Sequence, residues 1–153
     1  MTAWFGNWRR KVSLTGFTGG RHEARGARRE EAPEARMVTS YKDLLVWQRS
    51  MDLVETVYRI TATFPSSEQW GLISQMRRAV VSVPSNIAEG YGRQATGEYR
   101  HHLSIARGSL LELETQILLA LRLKYLQSAA ADPVLKEIDE LSRMLATLVS
   151  KLP

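Results

Sequence analysis

Between residues 41 and 153 the apolar side chains recur at alternating steps of three and four, in four separate runs. Such steps return a side chain to the same side of an α-helix, because one turn holds about 3.6 residues. The first run carries Leu44, Trp47, Met51, Val54 and Tyr58, with Leu53, Val57, Ile60 and Phe64 as a second row on a neighbouring face. Pro65 ends it, since the residue before a proline is pushed out of helical geometry. The second run is Ile73, Met76, Val80, Val83 and Ile87. The third, over residues 97–126, sets Leu103, Leu110 and Ile117 seven apart beside Ala106, Leu113 and Ala120. The fourth is Val134, Ile138, Leu141, Leu145, Leu148 and Leu152. No stretch alternates with period two over strand length, so the fold class is all-α. Helices of about 20 residues run roughly 30 Å, the size of an antiparallel up-down four-helix bundle.

Local signals place the ends. Ser66-Ser67-Glu68-Gln69 reads as a capping box in front of the second helix. Asp132-Pro133 pairs an N-cap residue with a proline at the first helical position, and predicts the start of the fourth. Pro84 lies inside the second run and predicts a kink near residues 80–84, with Gly90 and Gly92 closing the helix. From Ile117 to Leu123 the third helix is apolar on nearly every side. A four-helix monomer covers one stripe of each helix, so this surplus predicts a homo-oligomer.

The net charge of +5 is unevenly spread. Residues 1–36 hold eight Lys/Arg against four Glu, which leaves residues 37–153 at only +1. The leader is rich in glycine and lacks an apolar period, so it reads as a disordered basic segment in front of a bundle over 37–153. Two other readings of it stand. Trp4, Phe5 and Trp8 beside Arg9, Arg10 and Lys11 form a basic-aromatic sticker for RNA or a membrane surface, or else Met37 is the start. No run approaches the roughly 20 apolar residues of a membrane span, and no apolar stretch follows Arg9-Arg10-Lys11 to make a signal peptide. A cytoplasmic location is the expectation. The absence of cysteine excludes disulfides, a thiol nucleophile and thiolate metal sites.

Catalytic chemistry finds little to work with. Glu98-Tyr99-Arg100-His101 has the Glu-x-x-His spacing of di-iron bundles, but no second copy exists and Arg100 and Arg107 would repel a cation. Glu112 and Glu114 stand about 200° apart around a helix and cannot act as an acid/base pair. They read as structural, Glu114 towards a neighbouring helix and Glu112 towards arginine at an interface. Asn86 and Glu89 are polar residues beyond Pro84, set either to touch a ligand or to satisfy groups freed by a kink or an interface. No catalytic residue, metal or cofactor is expected. The remaining signal is a cluster of arginines, Arg77, Arg78, Arg93, Arg100 and Arg107, with Glu137, Asp139 and Glu140 gathered on the fourth helix. Arginine forks suit phosphate, so this face either binds an RNA or DNA backbone or meets the acidic face of another subunit.

Tyr41-Lys42-Asp43-Leu44, Val46-Trp47-Gln48, Phe64-Pro65 and Gly71-Leu72 open a pattern that continues through Gln75-Met76-Arg77-Arg78-Ala79 and Val83-Pro84-Ser85-Asn86-Ile87-Ala88-Glu89-Gly90. With Gly108-Ser109 and Glu112-Leu113-Glu114-Thr115-Gln116, it resembles the four-helix-bundle proteins encoded in intervening sequences of bacterial 23S rRNA genes. The resemblance covers about residues 40–150. It implies an up-down bundle that assembles into a pentameric ring and has no catalytic residues. It also implies kinship in fold with the accessory protein of diversity-generating retroelements, which binds a reverse transcriptase and nucleic acid. Two departures stand out. The family begins near Tyr41, and Ala95 replaces the serine of a Ser-x-x-Glu box before Glu98, leaving Thr96 to cap instead.

Overall fold

A reciprocal cap precedes the first helix. Ser40 Oγ accepts from the Lys42 amide (3.3 Å), while Asp43 Oδ2 accepts from the Ser40 amide (2.8 Å), closing a 3-10 turn over Tyr41–Asp43. Four helices follow in the computed structural model, which describes residues 38–153: α1 (Leu45–Thr61), α2 (Leu72–Gly92), α3 (Thr96–Arg122) and α4 (Ser128–Ser150). Residues 40–153 form one unit, and the described residues hold no strand. The expectation of a disordered leader over residues 1–36 lies outside the described residues, as does Met37.

The helices pack as a square. α1 touches α2 and α4, α3 touches α2 and α4, and the two diagonal pairs do not meet. Short connections join neighbours in sequence, so successive helices run antiparallel and the bundle is up-down. Every apolar position expected for α2, α3 and α4 is buried, including Met76, Val80, Val83 and Ile87, Leu103, Leu110 and Ile117, and Ile138, Leu141 and Leu145. Arg49 on α1 ties α1 to α4 with a fork on Glu137 (2.8 and 2.6 Å) and a further hydrogen bond to Glu140. That bond holds the Glu140 carboxyl below its ordinary value.

α1 corrects the first row read from sequence. Its buried stripe is Val46, Ser50, Leu53, Val57 and Thr61, whereas Met51 and Tyr58 are 40% and 43% exposed. Leu53 and Val57 belong to the second row expected from sequence, and Phe64 of that row is buried too; what a hydropathy reading misses are the two hydroxyl residues of the stripe. Ser50 Oγ donates to the Trp47 carbonyl (2.7 Å) and Thr61 Oγ1 to the Val57 carbonyl (2.8 Å), so both enter the core satisfied. α1 also stops at Thr61, ahead of Pro65.

Three helix ends differ from expectation. The first turn of α2 is capped by Glu68, not by Ser66: Glu68 Oε2 accepts from the Leu72 amide (3.0 Å), and Ser66 belongs to a 3-10 turn over Ser66–Glu68. Gly71 makes room for this, because a Cβ there would lie 2.5 Å from Glu68 Oε2. At α3, Ala95 takes the N-cap position and Thr96 is already helical, so the cap is absent and its contribution of about 1 kcal/mol is forgone. α4 begins at Ser128, upstream of Asp132-Pro133. Ala129, Ala130 and Ala131 are strong helix formers and carry the helix past the proline, which forfeits one backbone hydrogen bond inside it. α2 likewise runs through Pro84 without a break to Gly92.

α3 ends in a Schellman turn. The Tyr125 amide reaches the Ala120 carbonyl (2.9 Å) and the Lys124 amide the Leu121 carbonyl (3.1 Å), with Lys124 at φ 60°. A side chain at this left-handed position costs about 1 kcal/mol that glycine avoids. Lys124→Gly is therefore expected to raise the unfolding free energy by about 1 kcal/mol, read as a later urea midpoint at unchanged slope.

Candidate functional site

α1, α2 and α3 together leave a cleft of about 630 Å³ on the surface of the bundle. Tyr58 of α1 forms one wall. The middle is supplied by α2, where Arg77, Arg78, Val81 and Ser82 follow one another round little more than a turn. Ser109 and Glu112 of α3 form the other wall. Gln75 and Ala79 complete the lining.

The two arginines are held differently. Arg77 is half-buried: its Nε donates to Thr61 Oγ1 (3.0 Å), and its guanidinium sits over the Tyr58 ring, 4.6 Å from the centroid. This cation–π contact and the hydroxyl together fix its direction. Arg78 is exposed and pairs with no other described residue. Glu112, an exposed carboxylate in the lining of the far wall, accepts from Gln116 Nε2 (3.1 Å) on its own helix. Glu114 is half-buried and has no hydrogen bond to a neighbouring helix among the described residues.

The remaining arginines lie elsewhere. Arg93, at the end of α2, pairs with Glu89 one turn back. Arg100 donates from Nη2 to the carbonyls of Leu152 (2.7 Å) and Pro153 (3.1 Å), which places it on the side of α3 next to the end of α4. Arg107 is two turns further along that side and is exposed without a partner among the described residues. The acidic residues of α4 are largely spent within the chain: Glu137 and Glu140 on Arg49, and Asp139 on Arg143 (2.9 Å).

Asn86 and Glu89 belong to a polar chain across the α2–α3 contact. Asn86 Nδ2 donates to the Ser82 carbonyl (2.8 Å) and to Ser82 Oγ (3.0 Å), leaving its oxygen 3.1 Å from His102 Nδ1. On the other side of the ring, His102 Nε2 lies 3.7 Å from the Glu89 carboxylate. At the other end Ser82 Oγ lies 2.9 Å from Ser109 Oγ, at the cleft wall. Asn86 thus binds the helices to each other. Sequence reasoning missed Tyr58, Val81, Ser82 and Ser109 as neighbours, because no spacing along one helix reveals what faces it from the next.

A second surface feature is apolar. Leu111, Leu118 and Leu119 along the second half of α3, with Leu123 just after its end, stand 44–51% exposed. Glu98 and His101 are both exposed, and the described residues include no group of three or more His, Asp or Glu able to hold a metal ion. No helix of the described residues is long and apolar enough to cross a membrane.

No curated protein matches the chain. Among solved structures it is similar to a protein of unknown function from the S23 ribosomal protein family of Bacteroides thetaiotaomicron, at 18% identity and a TM-score of 0.65. That match covers 69% of this chain and 96% of the other, and shares the fold. The family model for the 23S rRNA-intervening sequence protein matches residues 42–147, the span of all four helices but for the end of α4. The chain belongs to the 23S rRNA-intervening sequence protein family.

Proposed function

We propose that this protein is a non-enzymatic, self-associating four-helix bundle of the bacterial cytoplasm that binds RNA through the cleft around Arg77 and Arg78. One observation carries the reading: Arg78 projects, unpaired among the described residues, beside an arginine already locked in place, in a concave site open to solvent. Binding phosphate there breaks no internal ion pair. The acidic side chains of α4 that would receive a basic face in a subunit contact are already occupied by Arg49 and Arg143, which favours a phosphate partner over a charged contact between copies. Self-association rests instead on the exposed leucines of α3, whose apolar surface a second copy would cover.

The test is RNA binding by the full chain at about 50 and 200 mM salt, where phosphate contacts make affinity fall steeply. Arg78→Glu is expected to weaken binding at least about tenfold and to reduce the salt slope by about one unit. The mass by light scattering should stay at its multi-subunit value. Arg78 is the better position to change, because Arg77 also holds α1 to α2. Unchanged RNA affinity in Arg78→Glu would remove the cleft from consideration. Loss of the assembly in that variant would favour the alternative, a purely structural module whose arginines serve subunit contacts.

A further inference from the structure

Resting on the RNA reading above, we infer that the cleft takes single-stranded RNA, with an unpaired base stacked at the Tyr58–Arg77 pair and its hydrogen-bonding edge turned to Glu112.

Tyr58 is the first reason. It lies on the run of α1 that reads as core in the sequence, yet the residue is 43% exposed. The Arg77 guanidinium lies over that ring, and Thr61 Oγ1, itself bound to the α1 backbone, holds Arg77 from the side. An aromatic ring and a guanidinium plane are the two surfaces on which proteins stack unpaired bases. Here they are assembled before any ligand arrives, so little side-chain entropy remains to be lost on binding.

Glu112 is the second reason. A surface meant only for a phosphate backbone gains nothing from a carboxylate, which repels it. The same carboxylate accepts hydrogen bonds from the amino and imino groups of a base edge. In a duplex those Watson–Crick donors are already used, and only an unpaired base presents them. Guanine offers two parallel donors, N1–H and N2–H, that match the two oxygens of a carboxylate, whereas uracil offers a single N3–H. The cleft is thus suited to phosphate at Arg78 and to a base, guanine above uracil, between Tyr58 and Glu112. Ser82 and Ser109 on the same lining add hydroxyls for the sugar or the base edge.

The test measures fluorescence anisotropy of the full chain with three labelled probes at one salt concentration. These are a U-only 12-mer, a 12-mer with guanines interspersed among uracils, and a 12-base-pair RNA duplex. Binding is expected in the order guanine-containing single strand, U-only strand, duplex, with at least about a tenfold gap between first and last. Tyr58→Ala should close that gap, Tyr58→Phe should keep it, and Glu112→Gln should abolish the preference for guanine. Unchanged thermal transitions would show that the exposed substitutions leave the bundle folded. Duplex binding equal to single-strand binding, or single-strand affinity indifferent to Tyr58→Ala, overturns this inference and leaves Arg78-dependent RNA binding standing. No binding of any oligonucleotide overturns both readings and turns the search to a protein partner.

Discussion

Leu110→Ala is expected to lower the unfolding free energy by about 2–5 kcal/mol, a large share of the roughly 5–15 kcal/mol that holds a domain folded. Leu110 is fully buried and stands at the centre of the row Leu103, Leu110, Ile117, on the helix that packs against both α2 and α4. Truncation removes buried methyl groups and leaves a cavity. Helices on both sides keep the backbone from collapsing into the gap, so the cost belongs in the upper half of the range. The neighbouring residue supplies the control. Leu111 is 51% exposed, and Leu111→Ala is expected to shift the stability of the single chain by no more than about 0.5 kcal/mol. Urea unfolding of both variants checks the pair. A loss below about 1 kcal/mol for Leu110→Ala would mean that the bundle core is looser than its burial implies.

Gly90→Ala and Gly108→Ala should have opposite signs. Alanine favours a helix over glycine by about 1 kcal/mol, and Gly108 lies in α3 where an added Cβ would meet nothing within 4 Å. Gly108→Ala is expected to stabilise by roughly that amount. At Gly90 the same methyl would come 2.7 Å from His102 Cβ and 2.8 Å from Tyr99 Cδ2. Neither can yield cheaply. His102 Cβ is rooted in the α3 backbone, and Tyr99 is almost wholly buried with its ring set edge-on to Tyr91 at 6.3 Å. The helices must move apart, and Gly90→Ala is expected to cost about 1–3 kcal/mol despite its better propensity. Thermal or urea midpoints moving the same way for both variants would show that α2 and α3 are not in contact at Gly90. The glycine expected to end α2 is thus a place where α2 and α3 approach closely.

Much of the architecture was legible in the residue order. The all-α class, the number of helices and the buried rows of α2, α3 and α4 follow from apolar periodicity, since a helix of fixed pitch exposes one stripe to its neighbours. The surplus apolar surface of α3 was legible for the same reason, and Leu118, Leu119 and Leu123 are indeed left outside. The candidate site was legible only in part. Arg77 and Arg78 were visible as adjacent arginines, and Glu112 as a carboxylate on another helix. Their joint cleft with Tyr58 was not visible.

What the residue order determined by itself is therefore one-dimensional: which stretches coil, and which side of most of them is apolar. The tertiary structure decided the matters that depend on a neighbour. Ser50 and Thr61 became core residues because their hydroxyls return to their own helix backbone while their small volume fits against the next helix. Met51 and Tyr58 were left at the surface by the same rotation of α1. Glu68 displaced Ser66 as the cap of α2, and its other oxygen accepts from the Tyr125 hydroxyl (3.3 Å) beyond α3. The five arginines divided into a pair in the cleft and three placed elsewhere by helix rotation. Pitch is a property of one helix and can be read along it, whereas rotation and contact are settled only when four helices share a single core.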